Sequence, residues 1–195
     1  PFLIDKVDLE IDLGEEWSTV KARLSFRSNP SFEGKKSTLV LEGQNMKLQE
    51  IHLDNIKMNS NKYSVDESHL KIKNVPKKFE LETEVKIKPQ NNTELEGLYK
   101  SGQIFCTQCE SEGFRKITYF VDRPDIMSLF STKITADKAK YPVILSNGNP
   151  VESGEKVGGD EGGDEFARSD DWSGDRRTGD GEIDVDTGRH ADDID

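Results

Sequence analysis

The sequence is poor in the residues that metal sites and redox centres are made from. It holds two cysteines and three histidines in 195 residues, and His52, His69 and His190 stand far apart. Two cysteines exclude a disulfide framework. Cys106-Thr-Gln-Cys109 has CxxC spacing. A structural zinc needs two further ligands, and a redox pair wants the strand-to-helix turn of a parallel α/β sheet, which the preceding sequence does not offer. Both cysteines are therefore read as structural or incidental thiols. No apolar run approaches a membrane span, and no charged-then-apolar leader opens the chain. Thiols without a leader point to the cytoplasm.

Charge is unevenly spread. Residues 1–151 carry 22 acids and 22 bases, whereas residues 152–195 carry 16 acids and 5 bases, the whole of the formal −11. The body is neutral, which argues against nucleic acid as a partner.

What is abundant is alternation with period two. Leu3, Val7, Leu9, Ile11 and Leu13 share one parity, broken at Asp5, against Lys6, Asp8, Glu10 and Asp12. Val20, Ala22, Leu24 and Phe26 repeat the pattern, with a hairpin predicted at Gly14-Glu15-Glu16. Shorter strands are expected at 38–41, 48–53, 56–58, 63–65 and 70–72, with Asp54-Asn55 as a turn pair. Phe79, Leu81, Thr83, Val85 and Ile87 form another strand ended by Pro89. Strands are also expected at 132–135 and 143–145. Short helices are predicted from Gly113 to Tyr119 and, opened by Pro124, across 123–130. The fold class is an all-β antiparallel sandwich or saddle with one short helical insertion. His52 and His69 each sit alone within strands and read as surface or partly packed histidines. Asn91-Asn92-Thr93 matches a glycosylation sequon, which matters only in a secreted protein.

The segment FCTQCESEGFRKITYFVDRPD, residues 105–125, gathers both thiols, Glu110, Glu112, Arg115 and Lys116 in a polar stretch at the end of an ordered scaffold. Binding groups concentrate in such places. From residue type alone, Glu110 is a surface acid or a partner of Arg115.

That segment, with LEGLYKSG at 95–102 and ADKAKYPVILSNGN at 136–149, resembles the aminopeptidase N family of zinc metallopeptidases. The opening PFLIDKVDLEIDL is similar to that family's first strand. The resemblance covers about the first three-quarters of the chain. It implies the amino-terminal β-saddle domain, here residues 1–153, of a larger enzyme that removes amino-terminal residues from peptides. It further implies substrate-binding roles for Gln108 and Glu110, with Glu110 holding the free α-amine. A carboxylate facing a substrate ammonium in a desolvated cleft sets the register of cleavage. Arg115, Asp122 and Arg123 are expected to make ion pairs that fix the loop against the sheet.

The departures from the family are as informative. Its His-Glu-x-x-His zinc motif and Gly-Ala-Met-Glu-Asn loop are absent. No catalytic residue and no metal ligand is therefore expected in this chain, and zinc is expected in the separate catalytic domain with which it would share the peptide substrate. After residue 153 the family pattern gives way to an acidic tail, 154–195, which holds nine of the 16 glycines. Such a composition predicts disorder, with Trp172 solvated; a changed reading frame in a truncated gene would also produce it. Asp180, Glu182, Asp184 and Asp186 alternate, but no glycine stands sixth from Asp180, so the EF-hand pattern fails. The alternative function is a non-catalytic β-sandwich interaction module with an acidic solubilising tail.

The chain alone is expected to hydrolyse no amino-acid anilide, with or without added zinc. Turnover that survives repurification and disappears with a chelator contradicts this reading.

Overall fold

The alternating stretches become strands, and one irregularity sets how they face the core. The computed structural model describes residues 1–32, 38–156, 164–171 and 183–186. Strands β1 (Phe2–Asp12) and β2 (Ser18–Ser28) form the expected antiparallel hairpin, with Val7 opposite Leu24 and Ile11 opposite Val20. The register shifts between Ile4 and Lys6. This bulge at Asp5 reverses parity: Phe2 and Ile4 are buried before it, and Val7, Leu9 and Ile11 after it. Leu3, grouped with the core residues by simple alternation, is consequently only half-buried. The displaced Asp5 accepts from Arg27 Nε at 2.6 Å.

The remaining strands are β3 (Leu39–Glu42), β4 (Met46–Leu53), β5 (Ile56–Lys57), β6 (Tyr63–Val65), β7 (His69–Ile72), β8 (Lys78–Ile87), β9 (Gly97–Ser101), β10 (Ile104–Gln108), β11 (Leu129–Asp137), β12 (Val143–Ser146), β13 (Asn149–Lys156), β14 (Asp164–Asp171) and β15 (Ile183–Asp186). They assemble as an eight-stranded sheet ordered β13-β14-β11-β1-β2-β8-β4-β5, a four-stranded sheet β12-β15-β10-β9 and a three-stranded sheet β3-β7-β6. The fold is all-β, as expected. Among the described residues all strand pairings are antiparallel except β1 with β11, which run parallel from Lys6 opposite Leu129 to Asp12 opposite Thr135. Asp54 and Asn55 link β4 to β5 with φ of 49° and 63°, the left-handed conformations that a tight hairpin turn requires.

One face of the large sheet is dry and the other wet. Phe26 stacks on Phe79 with centroids 5.0 Å apart, and Phe2 meets the same ring edge-on at 5.7 Å. The opposite face carries cross-strand ion pairs, such as Arg23–Glu82 at 3.1 Å and Lys21–Glu84 at 3.5 Å. Exposed pairs of this kind contribute little to stability, but they keep the face hydrated. His52 lies on β4, and His69 Nδ1 stands 3.2 Å from Asp66 Oδ1.

Two local expectations are corrected. The helix predicted from Gly113 is a single 3-10 turn, Phe114–Lys116, and a second such turn spans Pro89–Asn91. Residues 124–128 form a turn and extended chain rather than a helix. Ser128 Oγ donates to the Ile4 carbonyl at 2.9 Å, so the chain is already drawn alongside β1 when β11 begins. Three strands, β13 to β15, occupy part of the stretch where apolar periodicity is lost, and they join the two larger sheets. Trp172 and the remainder of residues 157–195 lie outside the described residues. Among the described residues no helix is long and apolar enough to cross a membrane.

A polar cluster ties the β1–β2 turn to the hairpin formed by β9 and β10. Tyr141 Oη donates to Glu15 Oε1 at 2.9 Å, while Lys100 Nζ reaches Tyr141 Oη at 2.7 Å and Glu15 Oε2 at 3.2 Å. Tyr141 also packs on Phe105, 5.2 Å between centroids. The hydrogen bond from Tyr141 holds the Glu15 carboxyl below its usual range; burial opposes this and Lys100 reinforces it. A depressed carboxyl stabilises the fold above its unfolded pKa, and that contribution is lost as pH falls through the folded value. Tyr141→Phe is therefore expected to cost about 0.5–1.5 kcal/mol at pH 7, from the hydrogen bonds lost. The cost should shrink as the pH is taken down to about 3, below the usual glutamate pKa. Denaturant unfolding of both proteins at the two pH values checks this, and a cost that grows on acidification contradicts it.

Candidate functional site

Strands β9 and β10 pair from Ile104 opposite Ser101 to Gln108 opposite Gly97. Beyond that last pair the chain leaves the sheet as a short loop, residues 109–113, and re-enters regular structure at the 3-10 turn. Gln108 is half-buried at the end of β10, Cys109 is buried, and Glu110, Ser111 and Glu112 are exposed. The peptide bond between Glu110 and Ser111 is cis.

The loop closes on glycine. Gly113 has φ of +136°, and a Cβ there would lie 3.0 Å from the Gln108 carbonyl oxygen and 3.1 Å from Gly97 N. Gly97 has φ of +67°, and its Cβ would lie 2.6 Å from Lys116 Cβ and 2.8 Å from the Gly113 carbonyl oxygen. Two backbones thus meet where no side chain fits.

Asp122 holds the closed loop. Its side chain is 6% exposed, and Oδ2 accepts from Gly113 N at 2.9 Å and Arg115 N at 3.2 Å, with the Arg115 guanidinium 3.4 Å away. The Asp122 N–H donates to Glu42 Oε2 at 2.8 Å, and Glu42 and Phe120 exchange backbone bonds of 2.8 and 3.0 Å. The loop is thereby wired to β3. The guanidinium's other partner is Glu112 Oε2 at 2.8 Å. The hydrogen bond to Glu112 raises the Arg115 pKa, with burial opposing and Asp122 adding to the rise.

A second anchor lies behind the loop. The Lys116 side chain is 3% exposed, and its ammonium pairs with Glu94 and with Glu96 Oε2, the latter at 3.0 Å. Burial works to lower this ammonium's pKa, but hydrogen bonds to both glutamates outweigh it and raise the value. Asn92 Nδ2 donates to the carbonyls of Glu96 at 2.7 Å and Leu98 at 3.0 Å, holding the chain entering β9.

The two singled-out residues, Gln108 and Glu110, therefore stand together on the loop, and among the described residues neither side chain has a polar partner. Arg115 and Asp122 form the expected ion pair. Arg123 does not contribute to it: its partner is the exposed Asp125, with Nε donating to Oδ1 at 2.8 Å. Cys106 lies half-buried on β10, and Cys109 is buried at the start of the loop. Lys116, Glu94 and Glu96 were missed as a unit. Their only sequence signal was two acids flanking Leu95 just before a glycine, in a stretch that reads as plain polar loop.

A cleft of about 820 Å³ is lined by Trp17, Met46, Leu98, Lys116 and Tyr119 among others, but not by Gln108 or Glu110. Glu110 itself is exposed. Among the described residues no three His, Cys, Asp or Glu side chains are grouped so that they could hold a metal ion.

Comparison with known proteins matches residues 4–174 to the family described as the Peptidase M1 N-terminal domain. The aminopeptidase N of Caulobacter vibrioides is 48% identical over 159 residues, covering 82% of this chain and 18% of that protein. The structure of Legionella pneumophila aminopeptidase A in complex with aspartic acid superposes with a TM-score of 0.83 at 30% identity, covering 94% of this chain and 21% of that one. An M1 zinc metallopeptidase from Deinococcus radiodurans shares the fold, with a TM-score of 0.72 at 13% identity over 94% of this chain and 42% of that one. The chain spans 18% of the length of the curated relatives it matches.

Proposed function

Since the chain belongs to the Peptidase M1 N-terminal domain family, we propose that it is the amino-terminal part of a zinc aminopeptidase and supplies recognition of the substrate α-amine. One observation supports this reading above the others. Of the five acids between residues 94 and 122, four are occupied: Glu94 and Glu96 by Lys116, Glu112 by Arg115, and Asp122 by backbone N–H groups and Arg115. Among the described residues Glu110 alone of the five has no partner for its carboxylate, on an exposed loop with both ends fixed.

A free carboxylate on a fixed loop is what a peptide ammonium requires. It provides a charge-assisted hydrogen bond at one distance from the bond to be cut, so binding of the amine sets which peptide bond is presented. Gln108, half-buried at the strand end, can donate and accept but cannot neutralise the ammonium, and its role is orientation. The remaining wall of the cleft and the zinc belong, in this reading, to the part of the enzyme beyond this domain. That part would dock over exposed apolar residues such as Met127, Leu129 and Leu145, which are more than half exposed here. A chain with two cysteines and no disulfide framework suits the reducing cytoplasm, where the reading places the enzyme.

The test uses a complete enzyme in which residues 1–149 of this chain replace the matching segment of the Caulobacter vibrioides aminopeptidase N. Glu110→Gln is expected to lower kcat/KM on the order of 10- to 100-fold, the equivalent of about 1.5–3 kcal/mol for a charge-assisted pair. Gln108→Ala should cost less. Glu112→Gln should be nearly neutral, because it loses only an exposed ion pair. Steady-state kinetics with thermal melts for folding decide the matter. A more damaging Glu112→Gln, or three silent variants, would overturn the assignment of Glu110.

A further inference from the structure

Among the described residues Glu110 has no polar partner to hold it, so its placement must come from its neighbours. Gln108 before it is fixed by the ladder to Gly97, and Gly113 after it is fixed by its N–H bond to Asp122. Asp122 is nearly buried and takes two backbone N–H groups from the stretch immediately following the loop. Its own N–H is tied to Glu42 on β3. The carboxylate thus links the loop's far end to another sheet without touching the solvent-facing side where a substrate would lie.

We propose that Asp122 is a positioning residue that sets where the Glu110 carboxylate stands, with Lys116 supporting it from the β9 side; this rests on the amine-binding reading of Glu110. Asp122 never meets substrate. Its effect passes through the Gly113 and Arg115 N–H groups, and a displacement of the loop changes amine binding before it changes the fold. Small misplacements of a group that positions substrate are costly, about 100-fold in rate for an error near 1 Å.

Asp122→Asn is the discriminating variant, because it keeps an acceptor oxygen for the two N–H groups and removes the charge that fastens Arg115. In the complete enzyme described above, inhibition constants are measured for a free amino acid and for the des-amino acid with the same side chain. Asp122→Asn is expected to weaken the amino acid about 10-fold and to leave the des-amino acid unchanged. Combined with Glu110→Gln it should cost no more than Glu110→Gln alone, since residues acting through one group are not additive. Lys116→Met, which keeps the buried stem and drops the two ion pairs, should shift the same ratio in the same direction. Equal weakening of both ligands, additivity with Glu110→Gln, or failure of both variants to fold would each assign these residues to general stability and overturn the proposal. If Glu110→Gln itself leaves the ratio unchanged, the amine is bound elsewhere and the underlying reading falls instead.

Discussion

Two backbone N–H groups and a guanidinium converge on the Asp122 carboxylate, and the shape of the loop after β10 follows from that convergence. A nearly buried carboxylate is costly to leave unpaired, and two orphaned N–H groups would each cost about 1–3 kcal/mol. Closing the loop satisfies all of them together. The same interaction occupies Arg115, which in turn occupies Glu112. Glu110 is left as the acid of this stretch with no polar partner among the described residues. Its availability is thus a consequence of how thoroughly its neighbours are paired.

The larger architecture provides the rigid base for this arrangement. Phe114 packs against Phe120 at 4.6 Å and edge-on to Phe130 at 5.7 Å, so the 3-10 turn is pinned to β11 of the eight-stranded sheet. Glu42 and Phe120 pin the segment to the three-stranded sheet, while the pairing of Gln108 with Gly97 belongs to the four-stranded one. All three sheets meet at the loop. A side chain on a loop is normally placed imprecisely; one whose loop is tied to three sheets need not be.

Much of the fold was legible because half-buried strands write their period directly into the sequence. β2 and β8 show it without interruption, and β1 shows both the period and, at Asp5, the place where it breaks. What the break did to the facing of Leu3 was not legible, since parity across a bulge depends on the partner strand's register. The parallel pairing of β1 with β11 spans over a hundred residues and leaves no local trace. β14 lacks apolar alternation, and β15 alternates over only four residues, Ile183–Asp186, too few to stand out in an acidic stretch. Pro124 reads as a helix start, but Ser128 captures the Ile4 carbonyl before a helix could propagate.

The site divided along the same line. Gln108 and Glu110 stood out through a long motif, and Arg115 with Asp122 through opposite charge at short spacing. The clamp of Lys116 on Glu94 and Glu96 is a contact across about twenty residues between stretches that each look ordinary. Only the pairing pattern separates Glu110 from Glu112, which are equivalent by residue type and exposure. The most direct measurement is a crystal structure of the complete enzyme with a bound amino acid. The account predicts a Glu110 carboxylate oxygen within about 2.7–2.9 Å of the α-amine nitrogen, with Arg115 still on Glu112 and Asp122. An amine held by a different carboxylate while Glu110 faces solvent would contradict it.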